Sequence, residues 1–376
     1  MRPIKTAVIG VGHLGKHHAR ILSQLPGVEL VGVSDAVESN CRQVAEQFKV
    51  EAFPDYRKLV GRVEAAVLAV PTSLHYRLGM DLLSQGINLL IEKPLAPTLE
   101  QADQLVNAAK KAGVVLGVGH VERFNPAMSA ASEWMTDPKY IDATRQSGYT
   151  FRSTDIGVVL DLMIHDIDLV LSLVKQPVDK VEALGIAIFG KHEDVANVRL
   201  TFSGGCVATL SASRASYKPG RVMQIWGPAG YVGLDFTSRE ATVVEPRPEL
   251  AERRWDENSL TPADREHLKA HLFEDLLPLK RITPEPCDQL TAELFDFTCA
   301  VREQRAPRID GRQARDAVAL AERILAKIEA HAWNGNAQEP RGPLAMPRLD
   351  GPHLLAGPHT HVGSPNSETA NRQKAG

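Results

Sequence analysis

Over the first third of the chain, short apolar runs alternate with longer stretches of helical spacing. IKTAVIG (4–10), VELVGVSD (28–35), AAVLAVP (65–71), INLLIEKP (87–94) and VVLGVGH (114–120) are β-rich, nearly continuous hydrophobic segments. After the first of these, Leu14, Ala19, Leu22 and Leu25 recur at helical intervals until Pro26-Gly27 stops the pattern. LHYRLGMDLLSQG and PTLEQADQLVNAAKKAG read as further helices that end at glycine. Strands without polar alternate positions are covered on both faces, and strand–helix alternation builds a parallel sheet. Ligands of such sheets bind beyond the carboxyl ends of the strands.

The pattern changes in the second half. Residues 141–150, 178–190, 194–215 and 220–246 are rich in Val, Ile, Thr and Tyr with glycine-containing breaks. VRLTFSGGCVATLSAS reads as two strands around Ser203-Gly204-Gly205. Such a sheet can wall the cofactor edge and support subunit contacts. Residues 247–287 are charged, with a helix begun by Thr261-Pro262, and are expected to be a solvated insertion. ARDAVALAERILAKIEAH, after Asp310-Gly311, is an amphipathic helix. Beyond 334 the chain is rich in Pro, Gly, His and Asn without periodicity, which predicts a disordered tail. His353, His359 and His361 within it suggest adventitious metal affinity rather than a built site. The expected organisation is an α/β domain over 1–122, an α+β domain over 123–333 and the tail over 334–376.

Composition narrows the function. At 376 residues the chain exceeds one ordinary core. A hydrophobic content of 43% with 24% charged residues describes a soluble globular protein, and a formal charge of −3 gives no reason to expect nucleic acid or an anionic membrane as partner. Cys41, Cys206, Cys287 and Cys299 form no CxxC or zinc-like spacing and suit a reducing compartment. No run approaches the ~20 apolar residues of a membrane span, so a cytoplasmic location is expected.

The first strand-to-helix turn carries Gly10-Val11-Gly12-His13-Leu14-Gly15, a G-x-G-x-x-G sequence. Gly10 permits the tight turn, Gly12 lets a pyrophosphate approach the backbone, and Gly15 lets the helix pack on the strand. Asp35, twenty residues beyond Gly15, ends the second strand where a carboxylate binds adenosine ribose hydroxyls. It would repel a 2′-phosphate, and Ala36 and Val37 supply no arginine to hold one, so NAD is expected over NADP. His13, His17 and His18 have no carboxylate or cysteine beside them at ligand spacing, and supporting roles suit them better than metal binding.

Two further places carry chemistry. LDLMIHDIDLV (160–170) sets Asp161, His165, Asp166 and Asp168 in an apolar run. In a helix Asp161, His165 and Asp168 share one face and Asp166 points elsewhere. That face admits a structural Asp–His pair, two metal ligands, or an acid–base unit whose carboxylate orients the imidazole. Glu92-Lys93-Pro94 ends the run INLLIEKP, where Lys93 is either a solvated lysine or one whose pKa desolvation and a bound pyridinium would lower.

AVIGVGHLGKHH, AVPTSLHYRLGMDLLSQG, IEKPLAPT and GVVLDLMIHDIDL occur in an order that resembles the glucose–fructose oxidoreductase / inositol dehydrogenase / rhizopine-catabolism (Gfo/Idh/MocA) family over roughly residues 4 to 170. The resemblance implies an N-terminal Rossmann domain followed by an α+β domain with an open, largely antiparallel sheet. It implies Lys93, Asp161 and His165 as the catalytic set, with Pro71, Thr72, His75 and Glu92 along the dinucleotide path. His165 would take a proton from a substrate hydroxyl while Asp161 orients it and Lys93 favours the developing alkoxide; which of Lys93 and His165 is the formal base stays open. One departure is the lead into the Asp-x-x-x-His helix, Asp155-Ile156-Gly157-Val158-Val159, with a single glycine where the family is glycine-rich.

GHVERFNPA (119–127) and LDLMIHDIDLVLSLV resemble the branch that oxidises C3 of UDP-N-acetylglucosamine. In that reading Arg123 and Asn125 contact the substrate, a guanidinium suiting a diphosphate; the competing reading has Arg123 pairing across the domain junction. The expected protein is an NAD-dependent dehydrogenase of a sugar or nucleotide-sugar, assembled as a homo-oligomer. A free polyol such as inositol is the alternative substrate. A non-catalytic dinucleotide-binding regulator and a metal-dependent hydrolase are the alternatives of other classes.

Overall fold

The computed structural model describes residues 2–151, 154–335 and 340–346. Six strands form a parallel sheet: β1 (Ile4–Ile9), β2 (Val28–Ser34), β3 (Glu51–Phe53), β4 (Ala65–Leu68), β5 (Asn88–Glu92) and β6 (Leu116–Gly119). Their order is β3-β2-β1-β4-β5-β6, so the winding reverses between β1 and β4 and opens a crevice at the carboxyl edge. The helices α1 (Gly15–Leu22), α2 (Glu38–Phe48), α3 (Thr72–Ser84) and α4 (Leu99–Ala112) cover the two faces. The predicted glycine stop of α4 is present: Gly113 takes φ +67° and its N–H caps the helix, while the Thr98 hydroxyl caps the start.

After a short helix α5 (Pro126–Ala130), the second domain is an eight-stranded sheet. Its strands are β7 (Tyr140–Gln146), β8 (Val178–Ile186), β9 (Val195–Phe202), β10 (Val207–Ser213), β11 (Gly220–Gly227), β12 (Gly230–Asp235), β13 (Glu240–Val244) and β14 (Leu279–Ile282). The order is β14-β13-β12-β11-β7-β10-β9-β8, antiparallel except for the β7–β10 pair. Burial alternates along β7 and β9, as in a sheet with one face packed and one open. The packed face carries α6 (Ile164–Val174) and the helix Gly311–Ala330.

The structure departs from the expected organisation at four points. The helix Gln289–Glu303 was not anticipated, and it packs Leu294, Phe297, Ala300 and Val301 on the Rossmann sheet. The helix Gly311–Ala330 spans both cores, with Ala314 and Val318 in the first and Leu320 to Ile328 in the second, so the chain after 289 serves both domains. Within the charged 247–287 segment, the Thr261-Pro262 helix is present with an Asp264 capping box, but β14 extends the sheet. The start of the supposed disordered tail is anchored: Arg341 bridges Ala332, and the Ala187 N–H donates to the Pro343 carbonyl. His353, His359 and His361 lie outside the described residues.

Candidate active site

The crevice between β1 and β4 opens over the glycine loop. Gly10 holds φ +83°, and a Cβ there would lie 2.5 Å from the Ala69 carbonyl oxygen. A Cβ on Gly15 would strike the Gly10 carbonyl at 1.8 Å, whereas one on Gly12 would meet nothing within 4 Å. The loop thus needs two glycines for its own packing and leaves open space over the third, where a pyrophosphate fits. Asp35 accepts hydrogen bonds from the Val11 and Val37 N–H groups at 2.7 and 2.8 Å. These bonds aim the carboxylate over the loop and leave each oxygen a further lone pair for a ribose hydroxyl. His13 and Leu14 are exposed along the loop, and Val37 beside Asp35 is 52% exposed. The residues present therefore fit a dinucleotide with an unphosphorylated ribose.

At the ends of β4 and β5 the picture is more mixed. Pro71 and Thr72 open α3 at the crevice, with Pro71 exposed. His75 does not line the dinucleotide path: it is 1% exposed, and its ring nitrogens contact the Pro94 and Val70 carbonyls at 2.8 and 2.9 Å. It clamps the two strand-end loops together, and burial pulls its pKa down. Glu92 is likewise a support. Its carboxylate meets His18 Nε2 at 2.7 Å, and although burial pushes it up, His18 and the Lys93 charge hold its pKa below the usual value.

Lys93 projects from the end of β5 toward the second domain. Its Nζ donates to the Asp161 carbonyl at 2.6 Å and to the Asp161 carboxylate at 3.3 Å. Asp161 lies in a π-helical turn, Val159–Met163, that runs directly into α6. Single π-turns insert one extra residue and gather at functional sites. The turn swings the Asp161 carboxylate to Lys93, and no hydrogen bond joins it to His165, so the expected Asp161–His165 orienting pair is corrected to a Lys93–Asp161 pair. The lead into this turn fits with its single glycine: a Cβ on Gly157 would sit 2.0 Å from a Glu193 carboxylate oxygen, and that carboxylate accepts the Val159 N–H.

His165 follows one turn later with Nδ1 buried and without a partner among the described residues, leaving Nε2 for the open side. Burial, then the charges of Lys93 and Arg145, drive its pKa well below the usual imidazole value, so the ring is neutral at neutral pH. Asp166 points to the sheet, as the spacing implied. Arg145 on β7 grips it through Nε and Nη2 and reaches Glu122 through Nη1, all within 3.2 Å. Burial raises the Asp166 pKa and Arg145 pulls it back; burial would lower Arg145, but the two carboxylates raise it above its usual value.

The two proposed substrate contacts lie elsewhere. Asn125 is fully buried; its amide donates to Glu122 and the Phe236 carbonyl, and its oxygen caps α5 by accepting the Ala127 N–H. Nothing of it remains for a ligand. Arg123 pairs with Asp168 at 3.5 Å and lines a cavity of about 970 Å³ beneath the carboxyl end of α6, a cavity that none of Lys93, Asp161 or His165 lines. Sequence reasoning passed over Arg221 on β11, which is exposed, pairs no carboxylate among the described residues and bears on His165. Only its register opposite Arg145 reveals it, and register is a property of the fold. No group of three His, Cys, Asp or Glu side chains among the described residues is placed to hold a metal ion.

Residues 4–120 match the oxidoreductase family with an NAD-binding Rossmann fold, and residues 107–232 match the GFO/IDH/MocA C-terminal domain. UDP-N-acetylglucosamine 3-dehydrogenase of Acidithiobacillus ferrooxidans is 33% identical over 336 residues, covering 87% of this chain and 98% of that protein. Its solved structure superposes with a TM-score of 0.77 at 31% identity, over 88% of this chain and 99% of that one. The scyllo-inositol 2-dehydrogenase (NAD(+)) of Bacillus subtilis is 28% identical over 57% of this chain and 68% of that protein. Levoglucosan dehydrogenase in complex with NADH, at 17% identity and a TM-score of 0.74, shares the fold.

Proposed function

Because the chain belongs to the GFO/IDH/MocA oxidoreductase family and carries its NAD-binding Rossmann domain, we propose that it oxidises C3 of the sugar of UDP-N-acetylglucosamine. The observation that carries this reading is the likeness to UDP-N-acetylglucosamine 3-dehydrogenase over 98% of that protein, joined to a Lys93–Asp161 pair with His165 one helical turn beyond Asp161. Bound NAD supplies the acceptor for the hydride that leaves the carbinol carbon.

The side chains divide the remaining work. His165, held neutral by burial, is the base that takes the hydroxyl proton. Lys93, fixed by the Asp161 carbonyl and carboxylate, donates to the same oxygen and stabilises the charge that develops there. Asp161 therefore positions the lysine. Asp35 binds the adenosine ribose, and Gly12 admits the pyrophosphate. Arg221 takes the place first given to Arg123 as the cation for the substrate diphosphate. The half-exposed aromatic patch of Tyr140, Trp226 and Tyr231 on the open sheet face supports pairing with a second copy.

The test is a panel scored by NADH absorbance with UDP-N-acetylglucosamine, free N-acetylglucosamine and myo-inositol. Turnover of the nucleotide-sugar alone is expected, and Arg221→Ala should raise its KM several-fold with kcat little changed. Turnover of myo-inositol without the nucleotide-sugar would move the substrate to the polyols and leave the dehydrogenase in place.

A further inference from the structure

The cavity beneath the carboxyl end of α6 has no part in the chemistry above, since none of Lys93, Asp161 or His165 lines it. Its volume of about 970 Å³ is that of a small-molecule site, which typically encloses about 300–1,000 Å³. Four cations, Arg123, Lys175, Arg308 and Arg323, line it against two acids, Asp168 and Asp316, a surplus of two positive charges. Asp316 is moreover answered at 3.1 Å by Arg315, which does not line the cavity.

Two of these cations meet from distant parts of the chain. Arg123 belongs to the turn after β6, and Arg308 to the loop before the helix Gly311–Ala330. The Arg123 side chain is 12% exposed, and its contact with Asp168 is long, at 3.5 Å. The Arg308 guanidinium lies 5.0 Å over the Phe124 ring. The Asp296 carboxylate takes the Arg308 backbone N–H and the Arg305 guanidinium, and no carboxylate among the described residues pairs with the Arg308 side chain. Burial, then the Arg123 charge, pulls the Arg308 pKa below its usual value, so the two guanidiniums feel one another. Like charges gathered at one cavity cost free energy that an anion between them returns. The adjoining Arg145–Asp166–Glu122 cluster shows the contrast, since its ion pairs close on one another.

Asp168 is an independent sign. It is 3% exposed and lines the same cavity; Oδ1 meets Arg123, while Oδ2 has no partner among the described residues. Buried carboxylate oxygens are almost always hydrogen-bonded. A bare anion between the guanidiniums would leave Oδ2 unmatched and would be repelled by it. A ligand that carries hydroxyls beside its anionic group satisfies both. A phosphate monoester brings about −1.5 to −2 charges at neutral pH, which matches the surplus, and its oxygens suit the guanidinium fork. We propose that this cavity is a second ligand site, binding a phosphorylated sugar with its phosphate between Arg123 and Arg308 and a sugar hydroxyl donating to Asp168 Oδ2. The site is separate from the dehydrogenase centre, and the inference does not rest on the identity of the oxidised substrate.

The experiment is calorimetric titration of the NAD-bound protein at constant ionic strength with glucose 6-phosphate, N-acetylglucosamine 1-phosphate, inorganic phosphate and free N-acetylglucosamine. Saturable binding of the two esters is expected, about tenfold or more tighter than inorganic phosphate, with none of the free sugar. Arg308→Glu should weaken the esters about tenfold or more while NAD titration by fluorescence is unchanged, and Arg308→Ala should act in the same direction if the charge reversal impairs folding. Asp168→Asn should bring the esters toward the affinity of inorganic phosphate, and Arg221→Ala should leave all affinities within twofold. Absence of binding by both esters overturns the site, as does ester binding that survives both Arg308 variants. Binding lost on Arg221→Ala instead assigns the esters to the catalytic cleft and also overturns it. Inorganic phosphate that binds wild type as tightly as the esters overturns the sugar class.

Discussion

In the proposed mechanism Lys93 and His165 divide one proton transfer between a fixed donor and a neutral acceptor, so their removal should be felt in the chemical step. Lys93→Met is expected to lower kcat by about 10²–10⁴-fold while NAD titration by fluorescence is little changed. Turnover near wild type would remove the lysine from the mechanism. The pH dependence follows from burial. His165, His75 and His120 all titrate below the usual imidazole value, His165 well below it, so activity should hold through neutrality and decline only well below about pH 6.5. The sign for stability is the same. The unfolded chain binds protons on these rings at a higher pH than the folded one, so the urea midpoint should fall as pH drops through about 6.5 toward the depressed folded values. A midpoint unchanged between pH 7.5 and 5.5 would contradict it. At Asp35, substitution by Ser removes the charge facing a 2′-phosphate and should narrow the preference for NAD over NADP in kcat/KM. A wild type that prefers NADP counts against that geometry.

At the level of elements, the junction of β7, α6 and the 121–124 turn is held by Arg145 between Asp166 and Glu122, all at most 4% exposed. Arg145→Leu strands two buried carboxylates and should cost about 3–5 kcal/mol of unfolding free energy, read from urea denaturation; a loss under 1 kcal/mol would show that the cluster is not confined. The sequence made much of this region readable. Apolar continuity marked five of the six parallel strands, and Gly10, Gly15 and Asp35 announced the loop chemistry by spacing alone. What escaped depended on contacts between distant segments. The π-turn is invisible in VVLDLM, and it sends Asp161 to Lys93 rather than to His165. His75 looked like a site residue because it sits near the edge, but two carbonyls enclose it.

Across the whole molecule, two layers meet at one line: the carboxyl edge of the parallel sheet supplies Lys93 and the nucleotide loop, and α6 on the antiparallel sheet supplies His165. The helices after residue 289 lock that line by packing on both cores, so the halves should unfold together, with one urea transition seen by near- and far-UV circular dichroism. The open sheet face then predicts association: light scattering should give at least a dimer, and Trp226→Glu should weaken it. A monomeric wild type would leave that aromatic patch without its assigned partner. The central claim is the oxidation of a nucleotide-linked sugar by NAD, and the most direct measurement is NADH formation on UDP-N-acetylglucosamine beside free N-acetylglucosamine and myo-inositol, with the product's ketone carbon located by NMR. NADH and a 3-keto sugar are expected from the nucleotide-sugar alone; NADH from either free compound with none from the nucleotide-sugar would contradict that assignment.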